Sequence, residues 1–321
     1  MERKEILYIV VPCYNEETVL PETMKRLKEK ITNLISTKKI SSKSKILFVN
    51  DGSTDNTWNI IKNISNKDKQ ITGISLSRNF GHQNALLSGL LTAKEQADII
   101  ISLDADLQDD IDTIDKMLSK YYEGNEIVYG VRNDRKSDNL IKKSTAECFY
   151  KLTKKLGIEI IYNHADFRLT SKRVLNELEK FNEVNLFLRG IFPLIGFKHT
   201  IVYYKRNSRY AGKSKYSINK MLNFGFDGIT SFSIKPIRFI LLLGTIIFLI
   251  STIICISTLI INIIKDTLNN WSFLIYSIWI ATSLQMISLG IIGEYVGKTY
   301  METKKRPVYI IEENLDNRKE R

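Results

Sequence analysis

The sequence predicts an α/β domain built on a mainly parallel sheet, and two features of the 321-residue chain support this. Short runs rich in Ile and Val alternate with amphipathic stretches through the first half, as expected for a sheet with helices on both faces. Polar or acidic residues directly follow three of these runs, where ligands bind in such sheets. We predict strands at 6–11, 45–50, 71–76, 99–103 and 127–131, and helices at 17–34, 56–64, 84–95 and 111–122.

The net charge of the chain and its distribution limit the classes of molecule that the protein is expected to bind. Its formal net charge is +12, which suits nucleic acid, an anionic membrane or a phosphorylated substrate. The basic residues are spread along the sequence, and no basic run is interleaved with aromatic residues as in single-strand binders. We therefore expect membrane lipids and phosphate-bearing substrates, and no nucleic acid. Cys13, Cys148 and Cys255 fit no metal or disulfide pattern, which indicates a reducing compartment.

Two uncharged runs near the C-terminus, 239–264 and 271–293, are long enough to cross a hydrocarbon core of roughly 30 Å. A buried core helix is the alternative for each run. Basic residues flank the pair on both sides, so the positive-inside rule places both flanks in the cytoplasm. We therefore expect a multi-pass cell-membrane protein with its first domain in the cytoplasm. The flanking residues are Lys235, Arg238, Lys298, Lys304, Lys305 and Arg306.

The stretch 214–236 mixes lysines with aromatic and aliphatic residues. It could lie in the membrane interface as an amphipathic helix, or pack against the first domain. The expected organisation has four parts. These are a cytosolic domain over 1–213, a juxtamembrane amphipathic helix over 214–236, two transmembrane helices within 237–297 and a cytosolic basic tail over 298–321.

The strongest chemical signal is the acid pair Asp104 and Asp106, which follows an apolar run and is followed by Gln108. Two carboxylates one residue apart can share a hard divalent cation, and that cation can bridge diphosphate oxygens. Paired acids in a loop are more often solvated, but their position after a buried strand favours a metal site. We predict that Asp104 and Asp106 bind a divalent cation, Mg²⁺ or Mn²⁺.

Other polar residues follow the remaining strands. Asp51 could accept a hydrogen bond from a nucleobase edge, and Gly52 permits a tight turn. Ser53 could contribute to the site or only cap the following helix. Arg78 lies between a strand and a helix, where cations and backbone donors suit anions. Arg132 ends a strand with a cation directed to the same edge.

Two further segments carry candidate residues. Asp166 is a third acid, two residues before Arg168. The loop 209–216 contains Arg209 and Lys215 together with glycine and tyrosine. Such a loop could close over a diphosphate or receive a lipid phosphate, and membrane-surface electrostatics is the alternative reading.

Five motifs occur in order along the chain: Pro12-x-Tyr14-x-Glu16, Asp51-Gly52-Ser53, Asp104-x-Asp106-x-Gln108, Asp166-Phe167-Arg168 and Arg209-x-x-Gly212-x-Ser214-Lys215-Tyr216. Each is weak alone, but together they resemble family 2 glycosyltransferases of the polyisoprenyl-phosphate type. That group includes dolichyl-phosphate mannose synthase and bactoprenol glucosyltransferases. The resemblance implies a GT-A-like fold. The sequence departs from the family at Asn50, where a second aspartate is common.

The resemblance also implies residue roles. The catalytic set would be Asp106, Asp166, Arg209 and Lys215, and the metal ligands Asp104, Asp106 and Gln108. Phosphates of the donor or acceptor would contact Arg132, Arg209 and Lys215. The nucleotide sugar would be bound by Pro12, Tyr14, Glu16, Val49, Asp51, Arg78, Asp104, Ala105 and Arg132.

The implied reaction is inverting transfer of a hexose, with UDP-glucose favoured as donor, to undecaprenyl or another polyisoprenyl phosphate. Its product would serve cell-envelope glycan modification. The acceptor phosphate has a second pKa near 6, so it is largely a dianion and needs little help from a base. Asp166 could therefore be a base or an orienting group. The alternatives are a non-lipid acceptor, a processive synthase or a non-catalytic membrane scaffold. A homo-oligomer is compatible with the sequence.

Overall fold

The computed structural model describes residues 4–133, 161, 164–181, 183, 187–206 and 271–316, with six isolated positions between 242 and 257. The described strands are β1 (Leu7–Cys13), β2 (Lys45–Asn50), β3 (Ile71–Leu76), β4 (Ile99–Ser102), β5 (Ile127–Arg132), β6 (His164–Ser171), β7 (His199–Tyr204) and β8 (Ile311–Asn314). The described helices are α1 (Leu20–Ser36), α2 (Thr57–Ser65), α3 (His82–Ala93), α4 (Thr113–Tyr122), α5 (Lys172–Leu178), α6 (Leu188–Ile195) and α7 (Trp271–Thr303).

Within this part of the chain the strands form one eight-stranded sheet in the order β7-β5-β6-β4-β1-β2-β3-β8. Strand β1 pairs in parallel with β2 and β4, β2 with β3, and β5 with β7. Strand β6 is antiparallel to both β4 and β5, and β8 is antiparallel to β3. The predicted mainly parallel α/β sheet is therefore confirmed, with all five predicted strands in it.

Alternation along the strands divides the core into two layers. In β1, Leu7 and Ile9 belong to the hydrophobic cluster that contains the buried face of α1, whereas Tyr8 and Val10 belong to the cluster on the α3 side. Successive strand residues point to opposite faces, so a fully apolar strand needs cover on both. Helix α1 supplies that cover on one side with a stripe at helical spacing: Leu20, Met24, Leu27, Ile31 and Leu34.

The topology brings the chemically interesting segments to one edge of the sheet. Because six strands run in the same direction, they all end there, at Cys13, Asn50, Leu76, Ser102, Arg132 and Tyr204. Strand β6 runs the opposite way and begins at this edge, which we call the site edge. In the β4–β6 pairing, Ser102 lies opposite Arg168, and the Ser102 hydroxyl donates to the Asp166 carbonyl at 2.5 Å.

The segment predicted as a basic tail, 298–321, contributes β8. Glu313 in β8 accepts a hydrogen bond from Trp58 Nε1 at 2.9 Å, and the Asp316 carboxylate pairs with Lys45 at 2.8 Å. Leu315 is buried in the core cluster. The sequence gives little sign of this strand, because Ile-Glu-Glu-Asn is short and lacks the Val-rich pattern typical of strands.

The predicted multi-pass membrane location is wrong. A spanning helix needs about 20 consecutive, mainly apolar residues, and among the described helices none combines the required length and hydropathy. The predicted second span, 271–293, forms the first part of α7. Most of the first predicted span, 239–264, and the whole predicted amphipathic helix, 214–236, lie outside the described residues.

We predict that Gly52→Ala lowers the free energy of unfolding by about 3 kcal/mol. Gly52 has φ +61°, and a Cβ there would lie 2.6 Å from the backbone nitrogen of Asn79. Gly81→Ala is the matched control, because Gly81 has φ +89° but nothing within 4 Å of the added atom. Its loss should be about 1 kcal/mol, the cost of the backbone conformation alone. Denaturant unfolding measures both; equal losses would contradict the close approach.

Candidate active site

The acid pair lies on the loop that leaves β4 at the site edge. Leu103, Ala105 and Leu107 are buried, whereas Asp104 and Asp106 are partly exposed. This alternation anchors the loop by its apolar side chains and leaves the carboxylates at the edge. Leu107 has φ +57°, an uncommon conformation for a residue with a side chain, and the Gln108 amide donates to Asp106 Oδ1 at 3.2 Å.

A third carboxylate, Asp166, lies behind the pair and is held by three cations. Arg189 makes a bidentate contact through Nε at 3.2 Å and Nη2 at 3.1 Å. Arg168 Nη2 lies 3.4 Å from Asp166, and His82 Nε2 lies 3.2 Å from it. His82 Nε2 is also 3.7 Å from Asp104, so the imidazole bridges Asp166 and the acid pair.

These contacts fix the charges of the groups. Burial raises the pKa of Asp104, and the carboxylates of Asp166 and Asp106 raise it further. Burial also opposes ionisation of Asp166, but Arg189 and His82 hold its pKa well below the usual value. Burial lowers the pKa of His82, yet the hydrogen bond that its ring donates to Asp166 and the charge of Asp104 outweigh burial and raise that pKa to about 9. His82 is therefore an imidazolium at neutral pH, and it offsets part of the acidic charge.

The far side of the acidic loop is held by the end of β7 and the residues after it. Arg206 Nη2 donates to the side-chain oxygen of Gln108 at 2.5 Å. The hydroxyl of Tyr204 donates to Asp109 at 2.5 Å and accepts from Arg132 Nε at 3.1 Å. Among the predicted metal ligands, Gln108 therefore already has its side-chain oxygen hydrogen-bonded to Arg206.

The acid pair suits a cation that arrives with a diphosphate. Among the described residues no group of three His, Cys, Asp or Glu side chains could hold a metal ion by itself. Mg²⁺ is commonly bound by one or two carboxylates together with substrate phosphates. Burial and, after it, the charges of Asp166 and Asp106 raise the pKa of Asp104, and a divalent cation would relieve the repulsion among these carboxylates. Asp104 and Asp106 therefore fit such an ion, which substrate oxygens and water would complete.

Asp51 directly follows β2 at the site edge and makes contacts that its motif does not predict. Its side chain is buried, and its two carboxylate oxygens accept the backbone amides of Phe80 at 2.7 Å and Gly81 at 3.0 Å. Burial nevertheless raises its pKa. In this structure Asp51 holds the β3–α3 loop in place, and Asn50 beside it donates to the Ser75 hydroxyl at 2.9 Å.

The other predicted nucleotide contacts differ in accessibility. Val49, Pro12 and Ala105 are buried, and the Ala105 carbonyl accepts a hydrogen bond from Thr23 at 2.8 Å. Tyr14 is 36% exposed at the end of β1, and Glu16 is partly exposed beyond it.

Arg78 is exposed on the β3–α3 loop, with its guanidinium 4.0 Å from the centre of the Phe80 ring. Arg209 and Lys215 lie outside the described residues.

Five residues at this edge are not predicted from the sequence: His82, Asp109, Arg189, Tyr204 and Arg206. From the sequence alone, His82 resembles an ordinary surface histidine, and Asp109 is only the end of the acidic loop. Tyr204 carried no signal at all. Arg189 did carry one, because it is the single charged residue of the apolar helix α6, and such a residue must find a partner when its helix packs.

A model of glycosyl transferase family 2 matches residues 8–179 of the chain. The chain belongs to this family. The matched glycosyltransferase segment contains the acid pair and Asp166, whereas Arg189, Tyr204 and Arg206 lie beyond it. The family and the mainly parallel sheet together establish a GT-A-like α/β fold and an enzyme of the glycosyltransferase class.

Full-length relatives extend the similarity beyond that segment. An uncharacterised glycosyltransferase of Bacillus subtilis, YkoT, is 52% identical over 316 residues, which cover 98% of this chain and 94% of the relative. The prophage bactoprenol glucosyl transferase homolog of Escherichia coli is 38% identical and covers 94% and 97% of the two chains. The bactoprenol glucosyl transferase of Shigella phage SfII is 36% identical, covering 95% and 97%. The predicted resemblance to bactoprenol glucosyltransferases is thus confirmed.

Among solved structures, the chain is similar to glucosyl-3-phosphoglycerate synthase from Mycobacterium tuberculosis, crystallised with Mn²⁺, UDP-glucose and phosphoglyceric acid. The two share 16% identity over 70% of this glycosyltransferase and 78% of that chain, with a TM-score of 0.46.

His164 at the start of β6 is buried beside this site. Its Nδ1 lies 2.8 Å from the Ile161 carbonyl, so the neutral ring donates there, and its Nε2 is buried with no hydrogen-bond partner among the described residues. Burial lowers the pKa of His164 to about 3, with help from the charges of Arg189 and Arg168. The folded enzyme therefore keeps this ring neutral at pH values where a free histidine is protonated.

We predict that His164→Asn removes one source of acid sensitivity. The unfolded chain binds a proton near pH 6.5, whereas folded His164 binds one only near pH 3. Its contribution to stability is therefore fully present above about pH 6.5 and is lost toward pH 3, by about 1.4 kcal/mol per pH unit. Asn keeps an amide donor for Ile161. Denaturant unfolding between about pH 7 and pH 4.5 should show the two stability curves converging on acidification; parallel curves would contradict the buried neutral ring.

Proposed function

We propose that this glycosyltransferase transfers glucose from UDP-glucose to a polyisoprenyl phosphate, with inversion at the anomeric carbon and with Mg²⁺ or Mn²⁺ as cofactor. The observation that carries the proposal is the partly exposed pair Asp104 and Asp106 at the site edge, with the His82 ring 3.7 Å from Asp104. Identity of 36–38% with bactoprenol glucosyl transferases over nearly the whole chain supports this donor and acceptor.

The acid pair and Arg132 would bind the donor diphosphate. Asp104 and Asp106 would hold the divalent ion, which when bound neutralises charge that develops on the leaving UDP. Arg132 lies at the end of β5 and its side chain is 25% exposed, so it can add a second positive charge. Gln108 would act less as a ligand than as the contact through which Arg206 supports the loop.

The nucleoside would lie over the ends of β1 and β2. Tyr14 and Glu16 are the side chains accessible there, whereas Pro12, Val49 and Ala105 would line the floor. Arg78, stacked on Phe80, would face the donor from the β3–α3 loop. Asp51 would act indirectly, because its carboxylate holds that loop through the Phe80 and Gly81 amides.

In the transfer step, an oxygen of the acceptor phosphate would form a bond to the anomeric carbon while the bond to UDP breaks. Because the acceptor is largely a dianion at neutral pH, no proton has to leave the nucleophile. Asp166 is also poorly suited to take one, since Arg189 and His82 stabilise its ionised form. We therefore assign Asp166 the role of holding His82 and Arg189 at the site edge, next to where the sugar would bind. Arg209 and Lys215 would serve the acceptor phosphate.

We predict that Asp106→Asn reduces glucose transfer at least about a thousandfold, because it removes one of two carboxylates for the cation. The variant should fold, since Asp106 is partly exposed and Asn can still accept the Gln108 amide. Initial rates with radiolabelled UDP-glucose measure the loss.

Asp110→Asn is the matched control on the same loop. Among the described residues, the Asp110 carboxylate accepts hydrogen bonds from the Asp112 amide and the Thr113 hydroxyl at the start of α4, so this variant should keep activity within about threefold. Near-normal transfer by Asp106→Asn, or equal losses in both variants, would remove the metal-site assignment.

The proposed lipid acceptor is tested by whether the labelled product partitions into the organic or the aqueous phase. With undecaprenyl phosphate in detergent, radiolabel from UDP-glucose should move into the organic phase on extraction, and UDP-N-acetylglucosamine or GDP-mannose should donate at least about tenfold less well. Omitting the lipid phosphate is the control. Label that stays in water as a new glycoside would contradict the lipid acceptor, and preference for another donor would contradict glucose.

A further inference from the structure

Three side chains from three segments meet behind the acid pair: Asp109 from the acidic loop, Arg132 from the end of β5 and Tyr204 from the end of β7. The Tyr204 hydroxyl donates to Asp109 Oδ1 at 2.5 Å and accepts from Arg132 Nε at 3.1 Å. Arg132 Nη2 lies 3.5 Å from the same Asp109 oxygen. One hydroxyl therefore links the carboxylate to the guanidinium.

The polar atoms of these three side chains are not equally supplied with hydrogen-bond partners. Asp109 is 2% exposed, and its Oδ2 has no hydrogen-bond partner within the described ranges. A buried carboxylate is costly unless a cation and hydrogen bonds compensate it. Arg132 supplies that positive charge. Because the Asp109 carboxylate is itself buried and fixed, it limits where the Arg132 guanidinium can lie.

Within the described part of the chain, the contacts of Arg132 in this group come from Tyr204 and Asp109. A guanidinium has five N–H donors in a fixed plane, and the triad uses Nε and Nη2. The side chain remains 25% exposed at the site edge. Arg132 and Asp104 also interact electrostatically, which places the guanidinium in the same region as the acid pair.

We infer that Tyr204 and Asp109 are positioning residues that hold Arg132 in place for the donor diphosphate. The inference rests on the proposed function, in which Arg132 contacts phosphate. The donor is favoured over the acceptor because Arg132 lies near Asp104, whose cation would bind the diphosphate. A guanidinium already held in place loses less side-chain entropy when the anion binds.

Tyr204→Phe isolates the hydroxyl. The ring packs edge-to-face on Phe167 with centroids 5.3 Å apart, and Phe keeps that contact. We expect the Kd of UDP with Mg²⁺, measured by titration calorimetry, to rise about tenfold. The KM for UDP-glucose should rise equally, while kcat and the KM for undecaprenyl phosphate stay within about twofold.

Tyr129→Phe is the matched control. Tyr129 lies on β5 with Arg132, is equally buried, and its hydroxyl has no hydrogen-bond partner among the described residues. This variant should bind UDP as the wild type does. If both Tyr→Phe variants bind UDP like the wild type, or if the KM of the acceptor rises instead of that of the donor, the positioning role is wrong.

A double-mutant cycle separates positioning from a purely structural role. If Tyr204 acts through Arg132, then Tyr204→Phe should weaken UDP binding no further in an Arg132→Gln background. Additive losses would overturn the inference. Asp109→Asn is a second probe if Tyr204→Phe folds poorly. It keeps an oxygen for Tyr204 but removes the charge near Nη2, and it should weaken UDP binding about threefold; unchanged binding would count against the inference.

Failure of the proposed function would look different. In that case the wild type itself would neither bind UDP with Mg²⁺ nor transfer glucose. If the wild type does both and the Tyr204 and Asp109 variants match it, only the positioning role fails.

Discussion

The site depends on balancing negative charge at the end of β4. Antiparallel pairing of β6 with β4 places Asp166 beside the loop that carries Asp104 and Asp106, so three carboxylates share one edge of the sheet. Carboxylates this close repel one another unless positive charges lie among them. His82 and Arg189 provide that balance around Asp166, and both come from helices whose apolar faces are packed on the sheet.

The positions of these positively charged side chains distinguish Asp166 from Asp104 and Asp106. Asp166 is buried and paired on several sides, which suits a group that keeps its charge and orients others. Asp104 and Asp106 are partly exposed and face the edge, and repulsion among the carboxylates favours a divalent ion beside them. The same chain thus contains one acid committed to structure and two that can still bind a substrate-borne cation. This division supports direct displacement by a phosphate acceptor over base catalysis.

Local patterns were enough to predict five of the eight described strands, β1 to β5, and the site edge. Runs such as Ile-Leu-Phe-Val in β2 can only be buried, and acids directly after β4 must reach the carboxyl end of the sheet. Partnerships across the fold were not predictable in this way. The sequence does not show that the Asp51 carboxylate accepts the Phe80 and Gly81 amides, nor that β6 brings Asp166 to His82. Arg189 and Tyr204 act through long-range contacts that no local spacing encodes. The length and lack of charge of the runs 239–264 and 271–293 also led to the prediction of a membrane location, which the described helices contradict.

The most direct test is calorimetric titration of UDP into the wild type and Asp104→Asn, each with Mg²⁺ and with a chelator. If carboxylates at the end of β4 hold the diphosphate through a cation, the wild type should lose at least about tenfold in UDP affinity when Mg²⁺ is removed. Asp104→Asn should bind UDP weakly under both conditions. Equal UDP affinity of the wild type with and without the metal would contradict the account.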